Sequence, residues 1–196
     1  MGSFVEAELD YISYTKFGQK GEADGQFNAP HSLAFDSSSN MYVTDIYNHR
    51  IQKFTSNGTF ITKWGSHGTV DGQFSYPEGI DVDSTGNVYV ADTGNSRIQK
   101  FTNNGTFITK WGSHGTADGQ FGRLLGIDVD SYGNIYIVDQ ANSRIQEFSS
   151  NGTFITKWTN PEFSKLEDIE LDSLDNIYVT DTGKNQIFKF VSNSIH

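Results

Sequence analysis

Residues 80–101 read IDVDSTGNVYVADTGNSRIQKF, and nearly the same segment recurs 47 residues later, at 127–148, as IDVDSYGNIYIVDQANSRIQEF. The pattern also occupies 33–54, again 47 residues earlier, and 169–190, where a shorter connection reduces the spacing to 42. Each copy alternates apolar and polar residues in short runs separated by Gly, Asn and Asp, which is typical of β-strands joined by tight turns. A period of about 40–50 residues built in this way predicts a β-propeller.

The second copy shows the predicted content of one blade. Alternating runs predict strands at 79–83, 88–91, 97–101 and 107–111, and an Asn-Gly hairpin turn at 104–105 precedes the fourth strand. Four antiparallel strands form a sheet that buries its faces only by packing against neighbouring copies. The sequence therefore predicts an all-β fold, a β-propeller of four four-stranded blades.

The two ends of the chain complement each other in this pattern. The last copy stops after its third strand at 187–190, whereas residues 11–18, YISYTKFG, align with the fourth strand of the other copies. An unpaired strand edge is a liability, so we expect the N-terminal strand to close the last blade in a four-bladed monomer. The alternative is that the chain is half of an eight-bladed dimeric ring. Residues 1–10 are interpreted as a tag or lead-in, and 11–196 as one propeller domain.

Composition narrows the classes of function. The chain holds 14 Lys and Arg against 24 Asp and Glu, and the net charge of −10 argues against a nucleic-acid surface. It has no cysteine, which excludes disulfides and thiolate chemistry. No apolar run approaches the ~20 residues of a membrane helix, and no signal-peptide pattern is present. We expect a soluble protein that is cytoplasmic, or exported with its leader removed.

Residues 87–101, NVYVADTGNSRIQKF, resemble the NHL repeat very closely, and the resemblance recurs in register from 11 to 190. Known members usually form six-bladed propellers, so four repeats are a departure. The fourth repeat departs further, since Lys184, Asn185 and Gln186 replace an Asn-Ser-Arg triplet. The resemblance implies a binding role; some related propellers are metal-dependent lyases of peptides or cyclic depsipeptides, and some NHL proteins bind RNA.

One acidic residue recurs before a turn in every blade, and in three blades an Arg follows five residues later. Such Asp residues usually accept backbone N–H bonds of their turn and pair with the Arg across it. Repetition in every blade favours this structural role over a ring of catalytic acid–base pairs. The residues concerned are Asp45, Asp92, Asp139 and Asp181, with Arg50, Arg97 and Arg144.

The loops between blades carry the candidate binding residues. The segment GSHGTVDG at 65–72 and its copy at 112–119 place His and Asp on the rim that also holds the second turn of each blade. The predicted rim surface consists of His67, Asp71, His114, Asp118, Tyr47 and His49. A lyase site would need several converging His with acidic partners. With His31 and His49 in the first blade the set is incomplete, because the other equivalent loops lack His.

The innermost strands carry acids where NHL blades commonly have a small residue. Asp81, Asp128 and Glu170 stand at matching positions, and Ala34 takes that position in the first copy. Either a wet channel solvates the three carboxylates, or they converge on the axis and bind a hard cation such as calcium. We keep these three residues as a candidate metal site.

The prediction for function is a non-catalytic binding scaffold that presents its rim loops to a protein or other macromolecular partner. It requires no cofactor. A metal-dependent lyase of the NHL-like type is the alternative, and RNA binding is disfavoured by the acidic charge. The chain is expected to be a monomer, or a homodimer that shares blades, without membrane contact.

Overall fold

The computed structural model describes residues 16–191 and shows four small antiparallel sheets, one for each repeat. The four-bladed all-β prediction is confirmed. The predicted pairing of residues 11–17 with the last blade falls largely on residues outside the described range.

The blades follow one another along the chain, and the strands of each blade follow its sequence order. Blade 1 contains β1 (Pro30–Phe35), β2 (Met41–Asp45), β3 (Arg50–Phe54) and β4 (Phe60–Trp64). Blade 2 contains β5 (Pro77–Val82), β6 (Val88–Asp92), β7 (Arg97–Phe101) and β8 (Phe107–Trp111). Blade 3 contains β9 (Leu124–Val129), β10 (Ile135–Asp139), β11 (Arg144–Phe148) and β12 (Phe154–Thr159). Blade 4 contains β13 (Leu166–Leu171), β14 (Ile177–Asp181) and β15 (Gln186–Phe190).

The connection between the second and third strands is a short 3-10 turn in the first three blades. These turns span Ile46–Asn48, Thr93–Asn95 and Gln140–Asn142. The residue after each turn adopts a left-handed backbone, with φ of 52° at His49 and 50° at Ser96. The connection reverses the chain within a few residues and leaves its side chains on the rim.

The core lies between blades rather than within them. Between blades 1 and 2 the buried residues include Tyr42 and Ile51 from the first sheet and Phe74, Ile80 and Phe101 from the second blade and its entry loop. Equivalent clusters separate blades 2 and 3 and blades 3 and 4. Because the apolar core is divided into three thin layers, a chain with only 35% hydrophobic residues can fill it.

A tryptophan of one blade packs onto a glycine turn of the next. Gly105 has φ of +86°, and a Cβ added there would lie 2.6 Å from Cδ2 of Trp64. Trp111 covers Gly152 in the same way. A glycine is required at this point both for the left-handed backbone and for the close approach of the indole.

The repeated Asp and Arg residues hold the loops between blades, as expected. In blade 2 the buried Asp92 accepts hydrogen bonds from the Ser75 N–H at 2.7 Å and from Arg97 Nε at 2.7 Å. The Arg97 guanidinium then donates to the carbonyls of Thr69, Val70 and Gln73. In blade 4, which has no Arg here, Asp181 instead accepts several backbone N–H groups, including those of Ser164 and Lys165. The predicted structural role is confirmed.

The inner strands of the four blades, β1, β5, β9 and β13, surround a central cavity. β5 packs against β1, β9 against β5, and β13 against β9, whereas β1 and β13 are not packed together in this way. Across the range 16–191, the fold contains no helix of the length and apolar character needed to span a bilayer.

Candidate functional site

Four ring side chains meet on the rim between blades 1 and 2, and we call them the rim cluster. Tyr47 and His49 come from the turn between β2 and β3, whereas His67 and Tyr76 come from the loop between β4 and β5. The two segments lie side by side because the blades that carry them are packed together.

The rings of the rim cluster form a continuous row. The centroids of His67 and His49 are 4.5 Å apart, those of His49 and Tyr76 are 4.8 Å apart, and those of Tyr76 and Tyr47 are 6.0 Å apart. The last two pairs meet edge to face, an arrangement favoured by aromatic rings. Tyr47 remains 59% exposed and Tyr76 45% exposed, so the row presents its apolar surface to solvent.

His49 holds the two loops in register. Its Nδ1 accepts a hydrogen bond from the backbone N–H of Tyr76 at 3.1 Å, which requires this nitrogen to be unprotonated. Burial, followed by the charge of the neighbouring His67, lowers the pKa of His49 below its ordinary 6.5. The neutral imidazole is therefore the form that the fold favours at neutral pH.

The rim cluster interrupts the repeat. Where blade 1 has Tyr47, the other blades have Gly94, Ala141 and Gly183. At the position of His49 the other blades have Ser96, Ser143 and Asn185. At the position of Tyr76 the loops that lead into blades 3 and 4 have Arg123 and Lys165. The propeller forms its other blades without the rings of Tyr47, His49 and Tyr76, so the fold does not require those three.

The remaining residues of the predicted rim surface lie apart from the cluster. Asp71 forms an exposed ion pair with Lys110, and Asp118 forms the equivalent pair with Lys157. His114 occupies the same place as His67 one blade further on, where Ser96 stands in the position of His49. The structure thus brings together Tyr47, His49 and His67 from that set, and it places His114 and the two acids elsewhere on the rim.

Tyr76 was missed by the analysis of the sequence. Its neighbours in the cluster are 27 and 29 residues away along the chain, and only the packing of two blades brings them together. The sequence nevertheless contained a signal. The turn with Tyr47 and His49 and the loop with Tyr76 both differ from the repeat, and both lie on the rim between blades 1 and 2.

The second candidate site lies in the central cavity. Asp81 and Asp128 are next to each other, and both face the cavity that the inner strands line. Asp81 Oδ2 accepts the Val129 N–H at 2.8 Å, and Asp128 Oδ2 accepts the Leu171 N–H. Each carboxylate therefore bonds to the inner strand of the following blade.

Crowding of the two acids favours a proton in the pair. Burial, together with the hydrogen bond and charge of Asp81, raises the pKa of Asp128 to about 8. Partial burial, followed by the charges of Asp128 and Asp168, also raises the pKa of Glu170, a solvent-exposed side chain that lines the same cavity. Among residues 16–191 no three His, Asp or Glu side chains are grouped closely enough to hold a metal ion. The calcium site at Asp81, Asp128 and Glu170 stays a prediction.

Comparison with known proteins agrees with the repeat. The model of the NHL repeat matches residues 27–54 and 74–101. A segment of 49 residues is 41% identical to the protein brain tumor of Drosophila melanogaster and 41% identical to the B-box type zinc finger protein ncl-1 of Caenorhabditis elegans. That segment is 25% of this chain and only 5–6% of those proteins, so it relates one repeat and not the whole molecules.

Solved structures with a similar fold are longer than this chain. A catalytically inactive virginiamycin B lyase from Staphylococcus aureus with quinupristin has a TM-score of 0.65 at 16% identity, over 92% of this chain and 61% of its own. A streptogramin B lyase scores 0.62 at 16% identity, over 85% and 55%. A chain of a nidogen/laminin complex scores 0.66 at 19% identity, over 84% and 60%. These likenesses concern the fold, and the family model concerns two of the repeats: the chain folds into the four blades of a β-propeller, and its first two repeats match the NHL repeat.

Proposed function

We propose that the protein is a non-catalytic scaffold that binds a protein segment on the rim between blades 1 and 2. The observation that carries this proposal is the rim cluster, a row of rings of which three are absent from the other blades and the two tyrosines remain exposed. Tyrosine is enriched at the centres of protein interfaces, where it offers a large apolar area and a polar group at low entropic cost.

The surroundings of the cluster suit an extended segment. An open depression lies beside His49 and His67, and its other walls include Glu22, Asn48 and Lys63. Polar groups around an apolar row provide the rim of hydrogen-bonding partners that protein interfaces commonly have. The net charge of −10 favours a partner of basic character over a nucleic acid.

The lyase alternative receives less support from the same residues. His49 and His67 are adjacent, but no third ligand residue joins them among residues 16–191. The lyases of similar fold are only 16% identical to this chain, which relates their architecture and not their sites. Elemental analysis of the purified protein separates the two functions, because a metal-dependent lyase should retain stoichiometric metal.

The binding proposal is tested with a phage-displayed library of random peptides selected on the immobilised chain. We expect a set of related peptides whose affinity falls about tenfold or more, about 1.4 kcal/mol, in the double variant Tyr47→Gly and His49→Ser. These substitutions install the residues that blade 2 carries at the same positions, so they fit the backbone.

The matched control is Tyr132→Thr, which removes an exposed tyrosine from the opposite rim and installs the residue of blade 2. It should leave peptide affinity unchanged. Selection that yields no related peptides, or peptides that bind the double variant as tightly as the wild type, would refute the proposal.

A further inference from the structure

The inner strands of blades 2, 3 and 4 are joined by one repeated interaction. The carboxylate of Asp81 on β5 accepts the N–H of Val129 on β9, and the carboxylate of Asp128 on β9 accepts the N–H of Leu171 on β13. Asp81 and Asp128 hold the same repeat position, as do Val129 and Leu171. Blades 2 and 3 therefore each present an acceptor to the following blade, whereas Ala34 leaves blade 1 without one.

The two ends of this series are left open. Glu170 holds the acceptor position in blade 4, is exposed, and accepts no hydrogen bond from any residue in the range 16–191. Phe35 holds the position of Val129 and Leu171 in blade 1. Blade 4 thus carries the acceptor, and blade 1 carries the donor position, of the carboxylate–N–H bond that is formed at β5–β9 and at β9–β13.

Apolar side chains show the same pattern. Leu33 is 56% exposed, whereas its equivalents Ile80, Ile127 and Ile169 are 3%, 6% and 2% exposed because a preceding blade covers them. Phe35, on the same strand, is 54% exposed. The inner strand of blade 1 therefore leaves two large apolar side chains uncovered on the side that would meet a preceding blade, whereas Phe17 and Phe27 cover Phe54 further out in the blade.

We infer that a second copy of this chain covers these faces, with blade 4 of each copy packed against blade 1 of the other. A second copy fits, because the acceptor position of blade 4 and the exposed inner strand of blade 1 are the two sides of the contact already formed at β5–β9 and β9–β13. Contacts between two different faces form a closed ring only if the rotation that relates one copy to the next brings the last copy back to the first. Two copies close a ring of eight blades when each blade turns by about 45°.

Four blades of this chain align with 55–61% of the larger structures at TM-scores of 0.62–0.66, so the four blades form part of a larger circle. The absence of β1–β13 packing agrees with an arc that is open between blades 4 and 1 within residues 16–191. In this assembly Glu170 bonds to the N–H of Phe35 of the other copy, and Leu33 becomes buried.

Light scattering on the 196-residue chain at micromolar concentration gives the first test. We expect twice the 21.8 kDa mass of the chain. Leu33→Lys should reduce the mass to that of one chain while far-UV circular dichroism stays unchanged, because Leu33 is exposed within a single copy. The control Val70→Lys alters another exposed apolar residue, on a rim loop, and should retain the double mass.

Cross-linking tests the orientation, since the natural chain has no cysteine. Phe35→Cys and Glu170→Cys are made separately, mixed, and treated with a short bismaleimide. We expect a linked product of double mass from the mixture and none from either variant alone. A chain that remains at 21.8 kDa, a mass that grows without limit as in an open filament, or linkage of Phe35→Cys to itself would each overturn the inference.

Discussion

Replacing Arg97 with Gln should be among the most damaging single changes outside the apolar core. The guanidinium joins the buried carboxylate of Asp92 to three carbonyls of the loop that enters blade 2. Removing one partner of a buried pair typically costs about 3–5 kcal/mol, because the other charge stays buried. Blade 4 carries Gln186 at the matching position, so the substitution is compatible with the backbone.

The magnitude follows from what remains around Asp92. Its carboxylate still accepts the Ser75 N–H at 2.7 Å and the amides of Asn95 at 2.9 Å and Gln99 at 3.0 Å. We therefore expect the lower end of the range, about 3 kcal/mol. For a chain of this size that loss corresponds to a fall in melting temperature of about 6–12 °C. Urea unfolding followed by circular dichroism measures the free energy of unfolding directly.

Lys110→Ala is the matched control. Lys110 forms an ion pair with Asp71, which lies in the loop that Arg97 holds, but both of these side chains are about half exposed. A surface pair contributes about 0–1 kcal/mol. If the Arg97 variant loses no more free energy of unfolding than the Lys110 variant, the buried network does not hold the loop and the reasoning fails.

Three further measurements test other parts of the structure. The pKa of Asp128 is raised from 3.8 to about 8, so the folded protein retains a proton that the unfolded chain releases, and the free energy of unfolding should fall as pH rises between those values. In urea titrations Asp128→Asn should make this fall smaller, and a wild-type free energy that rises over the same pH range would contradict the assignment. Gly105→Ala should lower the free energy of unfolding by at least about 1 kcal/mol more than Gly133→Ala, since both glycines have φ near +85° but only a Cβ at position 105 meets Trp64. Equal melting temperatures of the two variants would count against the indole contact. Peptide binding at the rim should weaken below pH 6.5, because protonation of His49 breaks its hydrogen bond to the backbone N–H of Tyr76. Constant affinity down to pH 5 in calorimetry would show that this hydrogen bond does not support binding.

The repeat made most of the fold predictable. Strands at 88–91 and 97–101 were expected from alternation and turn residues, and they are β6 and β7 within one residue. The pairing of Asp92 with Arg97 was expected from the same logic, since local spacing in a recurring turn determines which groups can meet. Such features depend on short-range contacts that every blade repeats.

The contacts between blades were harder to predict. The sequence placed Asp81 and Asp128 on the channel, but it did not predict that each bonds to a backbone N–H of the following inner strand. Alternation shows that these acids face inward, but the offset between adjacent inner strands decides what they reach. The meeting of Tyr76 with His49 likewise depends on that offset.

Because β9 is bonded to β5 in the same way as β13 is bonded to β9, blades 2 and 3 are interchangeable units. The two blades differ little in sequence, and each presents the same acceptor to the blade that follows it. Duplication of one 47-residue unit therefore adds a blade without leaving a buried polar group unbonded, and stability grows with each nearest-neighbour contact. Unequal recombination within such a gene lengthens or shortens the protein in whole blades, and each added copy of blade 2 or blade 3 repeats the interface that joins those two blades.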